Sequence, residues 1–200
     1  MNKQIAKISS LINVLAVFSF ALSMIVGSDF LSYFSAIFIA FSFVPMMCAF
    51  CFYAKPEVKL AGNLAIVFSV MYASLILLVY YAQVTTVQAG GLSNEMSATL
   101  DFQQFGLFFN YDMLGYALMS LATFFAGLTL TASSRSDKWL KILLLIHGIF
   151  FFSCFFMPML GLFKPGMVGG EWIGVAVLLF WSIYFIPIGL LSFYHFSRYK

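Results

Sequence analysis

The sequence predicts an all-α, polytopic membrane protein with six transmembrane helices and both termini in the cytoplasm. Three observations carry that prediction. Of 200 residues, 63% are hydrophobic and 8% are charged, where a soluble domain is about 45–50% apolar and about 25% charged. No soluble core in so short a chain could hide that much apolar surface. The apolar residues fall into six runs of spanning length, about 20 residues each. Finally, Lys and Arg gather on alternate connections, as they do where cytoplasmic segments hold the positive charge.

The first span covers about 8–27. Lys3 and Lys7 resemble the basic start of a signal peptide. The apolar run exceeds the roughly 7–15 residues of a signal, however, and no Ala-x-Ala-like cleavage site follows, so the segment reads as a retained span. "GSD" (27–29) leads to the second span, 31–54, and "KPEVK" (55–59) to the third, 60–83. Gly90 and Gly91 break the third span. The one long connection, 84–111, follows as an outer loop. Ser93 caps a short helix over 94–104 with Met96 and Leu100 on one face. Phe102, Phe105, Phe108 and Phe109 are expected at the lipid surface. The loop reads as an interfacial lid, with a gate over an outward cavity as the sharper alternative. The fourth span is 112–132, then "SSRSDK" (133–138), the fifth span 140–163, "KPGMVGGE" (164–171) and the sixth span 172–194. The whole chain, 1–200, is one domain.

Orientation follows from charge. With both ends inside, the inner segments hold Lys3, Lys7, Lys55, Lys59, Arg135, Lys138, Lys141, Arg198 and Lys200, and the outer segments hold Lys164. The outer side carries Asp29, Glu95, Asp101, Asp112 and Glu171. Trp172 and Tyr111 at outer ends, and Trp139 and Tyr194 at inner ends, fit interfacial aromatic belts.

Polar residues inside the spans fall on stripes when each helix is turned by 100° per residue. The first span aligns Ser9, Asn13, Ala16, Ser23 and Gly27, and the fifth His147, Cys154, Pro158 and Gly161. Small and hydroxyl residues let membrane helices pack closely, which accounts for these two. The third span aligns Gly62, Ser69, Tyr72, Tyr80 and Gln83, and the fourth Asp112, Tyr116, Ser120, Thr123 and Gly127. These two carry larger polar groups and an ionisable one. An ionisable residue inside a membrane is a functional-site hypothesis by default. Asp112, Tyr116, Ser120, Thr123, Tyr72, Tyr80 and Gln83 are therefore the candidate ligand-binding residues. The competing reading starts the fourth helix at Met113 and makes Asp112 its N-cap in water, where orphan N–H groups and the helix dipole stabilise a carboxylate.

Cys48 and Cys51 form a Cys-x-x-Cys pair near the C-terminal end of the second span. A thiolate is disfavoured at that end of a helix dipole, and a regular helix gives positions three apart poor disulfide geometry. A soft-metal site would need these two with His147 and His195. Their depths spread over more than a turn, so no metal site and no cofactor are assigned, and Cys48, Cys51 and His147 read as buried side chains.

Two segments, "YAKPEVKLAGNLAIVFSVMYASLILLVYYAQ" (53–83) and "YDMLGYALMSLATFFAGLTL" (111–130), resemble small multi-span bacterial integral membrane proteins of unknown function. The resemblance implies a multi-pass protein of a bacterial plasma (inner) membrane with about six spans. It carries no activity and no site residues.

No phosphate-binding loop, dinucleotide-binding glycine pattern, His-Glu-x-x-His or nucleophile elbow is present. The reading that follows is a non-catalytic structural or accessory membrane protein. The alternative is a small transporter or ligand-binding protein with a cavity between spans three and four. An intramembrane enzyme ranks last. The expected partners are the lipid bilayer and a second copy or another membrane protein, with no nucleic acid.

Overall fold

A chain whose apolar runs have no water to meet must satisfy every backbone group within its own helices. The computed structural model, which describes residues 1–164 and 170–198 with the side chains of Gly170 and Glu171 excepted, follows that rule. Among the described residues the elements are α1 (Asn2–Val26), α2 (Asp29–Tyr53), α3 (Lys59–Ala82), α4 (Asn94–Leu100), α5 (Leu107–Thr129), α6 (Arg135–His147), α7 (Phe150–Met159) and α8 (Gly170–Ser197). Six helical segments are long and apolar enough to cross a membrane, with α6 and α7 forming the fifth. The stretch 165–169, the side chain of Glu171, and Lys200 lie outside the described residues.

The helices close a ring. α1 packs against α2 and α8, α2 against α3, α3 against α5, α5 against α6 and α7, and α6 against α8. Among the described residues α7 has no extended interface with α8. The outward faces carry large apolar side chains such as Leu15, Phe18, Phe41, Phe152 and Ile183, all exposed. Such a belt is at home only in lipid.

The predicted stripes of the first, third and fourth spans turn inward, apart from the exposed Gly27. In the fifth span's stripe His147 is buried, Cys154 and Pro158 are half-buried and Gly161 is exposed, because the helix beyond the break has its extended interface with α5 and otherwise stands toward lipid. Ser9, Asn13, Ala16 and Ser23 of α1, Gly62, Ser69, Tyr72, Tyr80 and Gln83 of α3, and Asp112, Tyr116, Ser120, Thr123 and Gly127 of α5 are buried. Small residues set the spacing. A Cβ on Gly62 would lie 2.8 Å from Cys51 Sγ and 2.9 Å from Cys51 Cα, and one on Gly189 would lie 2.5 Å from Val14 Cγ2. Asn13 ties α1 to α2 by donating to Ser42 Oγ at 3.1 Å.

Three expectations change. The fourth span begins at Leu107, not 112, because Gly106 is its N-cap and the helix runs on through the phenylalanines. Those phenylalanines do not all face lipid. Phe109 is buried, Phe102 packs on Tyr33, Tyr80 and Phe109, and Phe105 packs on Phe109 and Phe163. The rings gain more by covering the helix ends than by lying flat on the bilayer. The fifth span is also broken, after His147, where Gly148 comes within contact of Phe124 of α5. Tyr184 donates its hydroxyl to the Leu143 carbonyl beside the break at 2.6 Å.

The loop helix forms as expected at its start. Ser93 Oγ accepts from the Met96 N–H at 3.3 Å. It ends at Leu100, where Asp101 caps a further 3₁₀ turn, Phe102–Gln104, by accepting from the Gln103 N–H at 3.0 Å. α3 continues past Ala82 as a π-helical turn, Gln83–Val87, and the chain leaves it through Gly90 and Gly91, both at positive φ.

Candidate functional site

The lid is held down by side chains. Gln83, in the first residue of the π turn, donates from Nε2 to the Leu100 carbonyl at 2.7 Å and accepts at Oε1 from the Phe102 N–H at 3.1 Å. One amide thus pairs with the lid backbone as another backbone strand would. From the other side, Gln103 Nε2 donates to Asp29 Oδ2 at the start of α2, at 2.7 Å. The Phe102 ring then lies on Tyr33 (5.9 Å) and Tyr80 (6.0 Å). π turns inside α-helices concentrate at functional positions, and here the turn aims the amide that fastens the lid.

Beneath Phe102 lies the polar cluster. Asp112 sits in the second turn of α5, 3% exposed. It is not the N-cap, which is Gly106, six residues earlier. The Tyr80 hydroxyl comes beside its carboxyl group, yet no aligned hydrogen bond reaches Asp112 Oδ1. Tyr116 Oη is buried and has the Tyr80 hydroxyl beside it, again without an aligned hydrogen bond. The Tyr72 ring lies tilted against that of Tyr116, with centroids 6.1 Å apart. Among the described residues the ion pairs are those of Asp137 with His195 and Arg198, so Asp112 has no cation. Most buried polar groups are hydrogen-bonded, and an orphaned one calls for an account.

The lower half of the α5 stripe behaves differently. Ser120 donates to the Tyr116 carbonyl at 2.9 Å, and Thr123 to the Ser120 carbonyl at 2.9 Å. These hydroxyls are satisfied within their own helix. Thr123 also meets His147 Nδ1 at 2.8 Å, and Trp181 donates its indole N–H to His147 Nε2 at 3.1 Å. An indole N–H only donates. Nε2 is therefore the acceptor, the ring proton sits on Nδ1, and that N–H donates to Thr123 Oγ1. Trp181 stacks on Phe185 at 5.0 Å and meets Tyr116 edge-on at 5.5 Å. The packed rings link His147 to the Asp112 cluster.

The structure brings together Asp112, Tyr80, Tyr116 and Tyr72, places Gln83 above them as the lid fastener, and leaves Ser120 and Thr123 below as packing residues that also seat His147. It does not bring Cys48, Cys51 and His147 together as a ligand group. Among the described residues no three His, Cys, Asp or Glu side chains form one. Both nitrogens of His147 are engaged, His195 Nδ1 meets Asp137 Oδ1 at 2.8 Å, and Cys51 donates to Asn63 Oδ1 at 3.4 Å.

A second cluster escaped the sequence reading. At the opposite end of the bundle, Asp137 Oδ1 receives His195 Nδ1 and Arg198 Nη2, while Oδ2 accepts from Ser133 Oγ (2.9 Å) and Ser134 Oγ (2.8 Å). Ser134 is the N-cap of α6, accepting from the Asp137 N–H at 3.2 Å. The Ser-x-x-Asp spacing carried a legible capping signal, and His195 and Arg198 share a face of α8. Their meeting with Asp137 needed the tertiary fold, as did the arrival of Trp181 and Phe102. Compared with protein-family models, with curated proteins and with solved structures, the chain matches none.

Proposed function

We propose that this membrane protein binds a small monovalent cation, an alkali-metal or alkylammonium ion, at Asp112, beneath the lid formed by residues 94–104. The observation that carries the reading is a pair of orphaned buried atoms, Asp112 Oδ1 and Tyr116 Oη, in the interior of a helix bundle. Burying a carboxyl oxygen without an aligned hydrogen bond is costly, and a cation coordinated by the carboxylate and the tyrosine hydroxyls would remove that cost. The lid and its Gln83 fastener then serve as the gate over the site. The Lys and Arg distribution and the bacterial resemblance support a bacterial plasma membrane with the lid on the outer side.

The test is thermal stability of the purified protein in detergent, titrated with sodium, potassium and methylammonium chlorides against choline chloride. A saturable rise in Tm with one of the three, abolished by Asp112→Asn, supports the reading. Equal responses to all four salts, unchanged by Asp112→Asn, overturn it.

A second reading has its own support. No residue of α7 is buried, which fits a non-catalytic accessory protein whose partner covers that helix. With the native cysteines removed, self-cross-linking through Phe152→Cys would identify a second copy as that partner.

A further inference from the structure

The geometry points to a second binding site, at the end of the bundle where α1 begins and α8 ends, that takes the singly charged phosphodiester headgroup of an anionic phospholipid. A cleft of about 350 Å³ opens there among the C-terminal ends of α2, α5 and α8 and the start of α6. That volume lies within the range of small-ligand pockets, about 300–1,000 Å³. Lys55, Arg198 and Thr131 line it with exposed side chains, and Phe50 and Tyr53 line it with buried and half-buried ones.

The charge balance decides the sign of the ligand. Helix C-termini favour cations, and three converge on the cleft. Two of them are already supplied. Lys59 Nζ donates to the carbonyls of Cys51 (2.6 Å) and Phe52 (3.1 Å) at the end of α2. Lys141 Nζ donates to the Leu130 carbonyl, just beyond α5, at 3.0 Å. The Asp137 carboxylate is saturated by four side-chain donors and offset by Arg198. Arg198 engages Ser134 and Asp137 through one bond from each terminal nitrogen, so further guanidinium N–H donors remain. Lys55 has no partner among the described residues. An ammonium group with no ion pair therefore stands beside unused guanidinium donors.

A phosphodiester is singly negative, opposite in sign to these groups. Guanidinium and ammonium groups bind phosphate oxygens strongly. The aromatic floor under a charged mouth suits an amphiphile rather than a bare ion. Basic pockets between helix ends on the cytoplasmic side recognise anionic headgroups, and the Lys and Arg distribution expects this end there. The site shares no residue with the Asp112 cluster, so either can fail without the other.

The experiment is a thermal-stability titration of the full-length protein in detergent with short-chain phosphatidylglycerol, short-chain phosphatidylcholine, and glycerophosphoglycerol, the soluble phosphodiester. Phosphatidylglycerol should raise Tm saturably and phosphatidylcholine should not. Lys55→Gln, an exposed change that removes no contact, should weaken the phosphatidylglycerol response about five- to tenfold, while Lys164→Gln at the other end leaves it unchanged. A Lys55-dependent response to glycerophosphoglycerol alone would keep the phosphodiester chemistry and move the source from lipid to a soluble ester. Equal responses to the two lipids, an unchanged response in Lys55→Gln, or no response to any probe would overturn the proposal.

Discussion

Trp181 donates its indole N–H to Nε2 of His147 across 3.1 Å, from α8 to the end of α6. That bond sets which nitrogen of the imidazole is protonated and joins two helices next to the break between α6 and α7. Trp181→Phe keeps most of the ring but orphans a buried acceptor. The expected cost is about 1–3 kcal/mol, read as reduced stability in detergent. Nitrogen NMR of the wild type should report His147 with its proton on Nδ1.

The lid should depend on one amide. Gln83→Leu keeps the volume and removes both bonds to the lid backbone. The expected outcome is faster hydrogen exchange at the Phe102 amide with α1 unaffected. In a background without native cysteines, Tyr116→Cys should resist an impermeant thiol reagent while Gln83 is present and become labelled with Gln83→Leu. A lid equally protected in both proteins would make Gln83 a packing residue only.

Asp137 ties three parts of the chain together through one carboxylate. Asp137→Ala leaves His195, Arg198, Ser133 and Ser134 without their shared acceptor. A loss of about 3 kcal/mol is expected, seen as lower Tm and less folded protein recovered. Asp137→Asn should fall between, because an amide accepts at one atom where the carboxylate accepts at two.

Two glycines should respond differently to the same change. Gly189→Ala places a Cβ 2.5 Å from a Val14 methyl, an overpacking worth about 1–3 kcal/mol. Val14→Ala should restore most of that loss, since a side-chain atom is the obstacle. Gly62→Ala meets Cys51 Cα at 2.9 Å. The backbone cannot be trimmed, so no side-chain substitution at Cys51 should rescue it fully. Both pairs can be read by double-mutant comparison of Tm.

What sequence alone determined about this protein is the class, the six spans and, in the first, third and fourth spans, which faces turn inward. The fifth span's stripe, where Cys154, Pro158 and Gly161 are not buried, was not decided by pattern. The properties that pattern did decide are local. Length and hydropathy decide whether a segment can cross a bilayer, and a 100° rotation per residue decides which side chains share a face. The Ser93 cap and the Gly90–Gly91 exit were legible for the same reason. Asp112 shows where local reading ends. As the residue before an apolar run it passes for an N-cap, and only the extra turns of α5, stabilised by Phe109 packing on Phe102, Phe105 and Phe163, carry it into the interior. The tertiary structure also decided that Gln83 fastens the lid to α3 rather than lining a cavity, that Ser120 and Thr123 satisfy themselves, and that Asp137 meets His195 and Arg198. Each of these joins residues from distant positions, such as Asp137 and His195, 58 residues apart. Their energies arise from packing and desolvation between helices, and no pattern within a single helix encodes them.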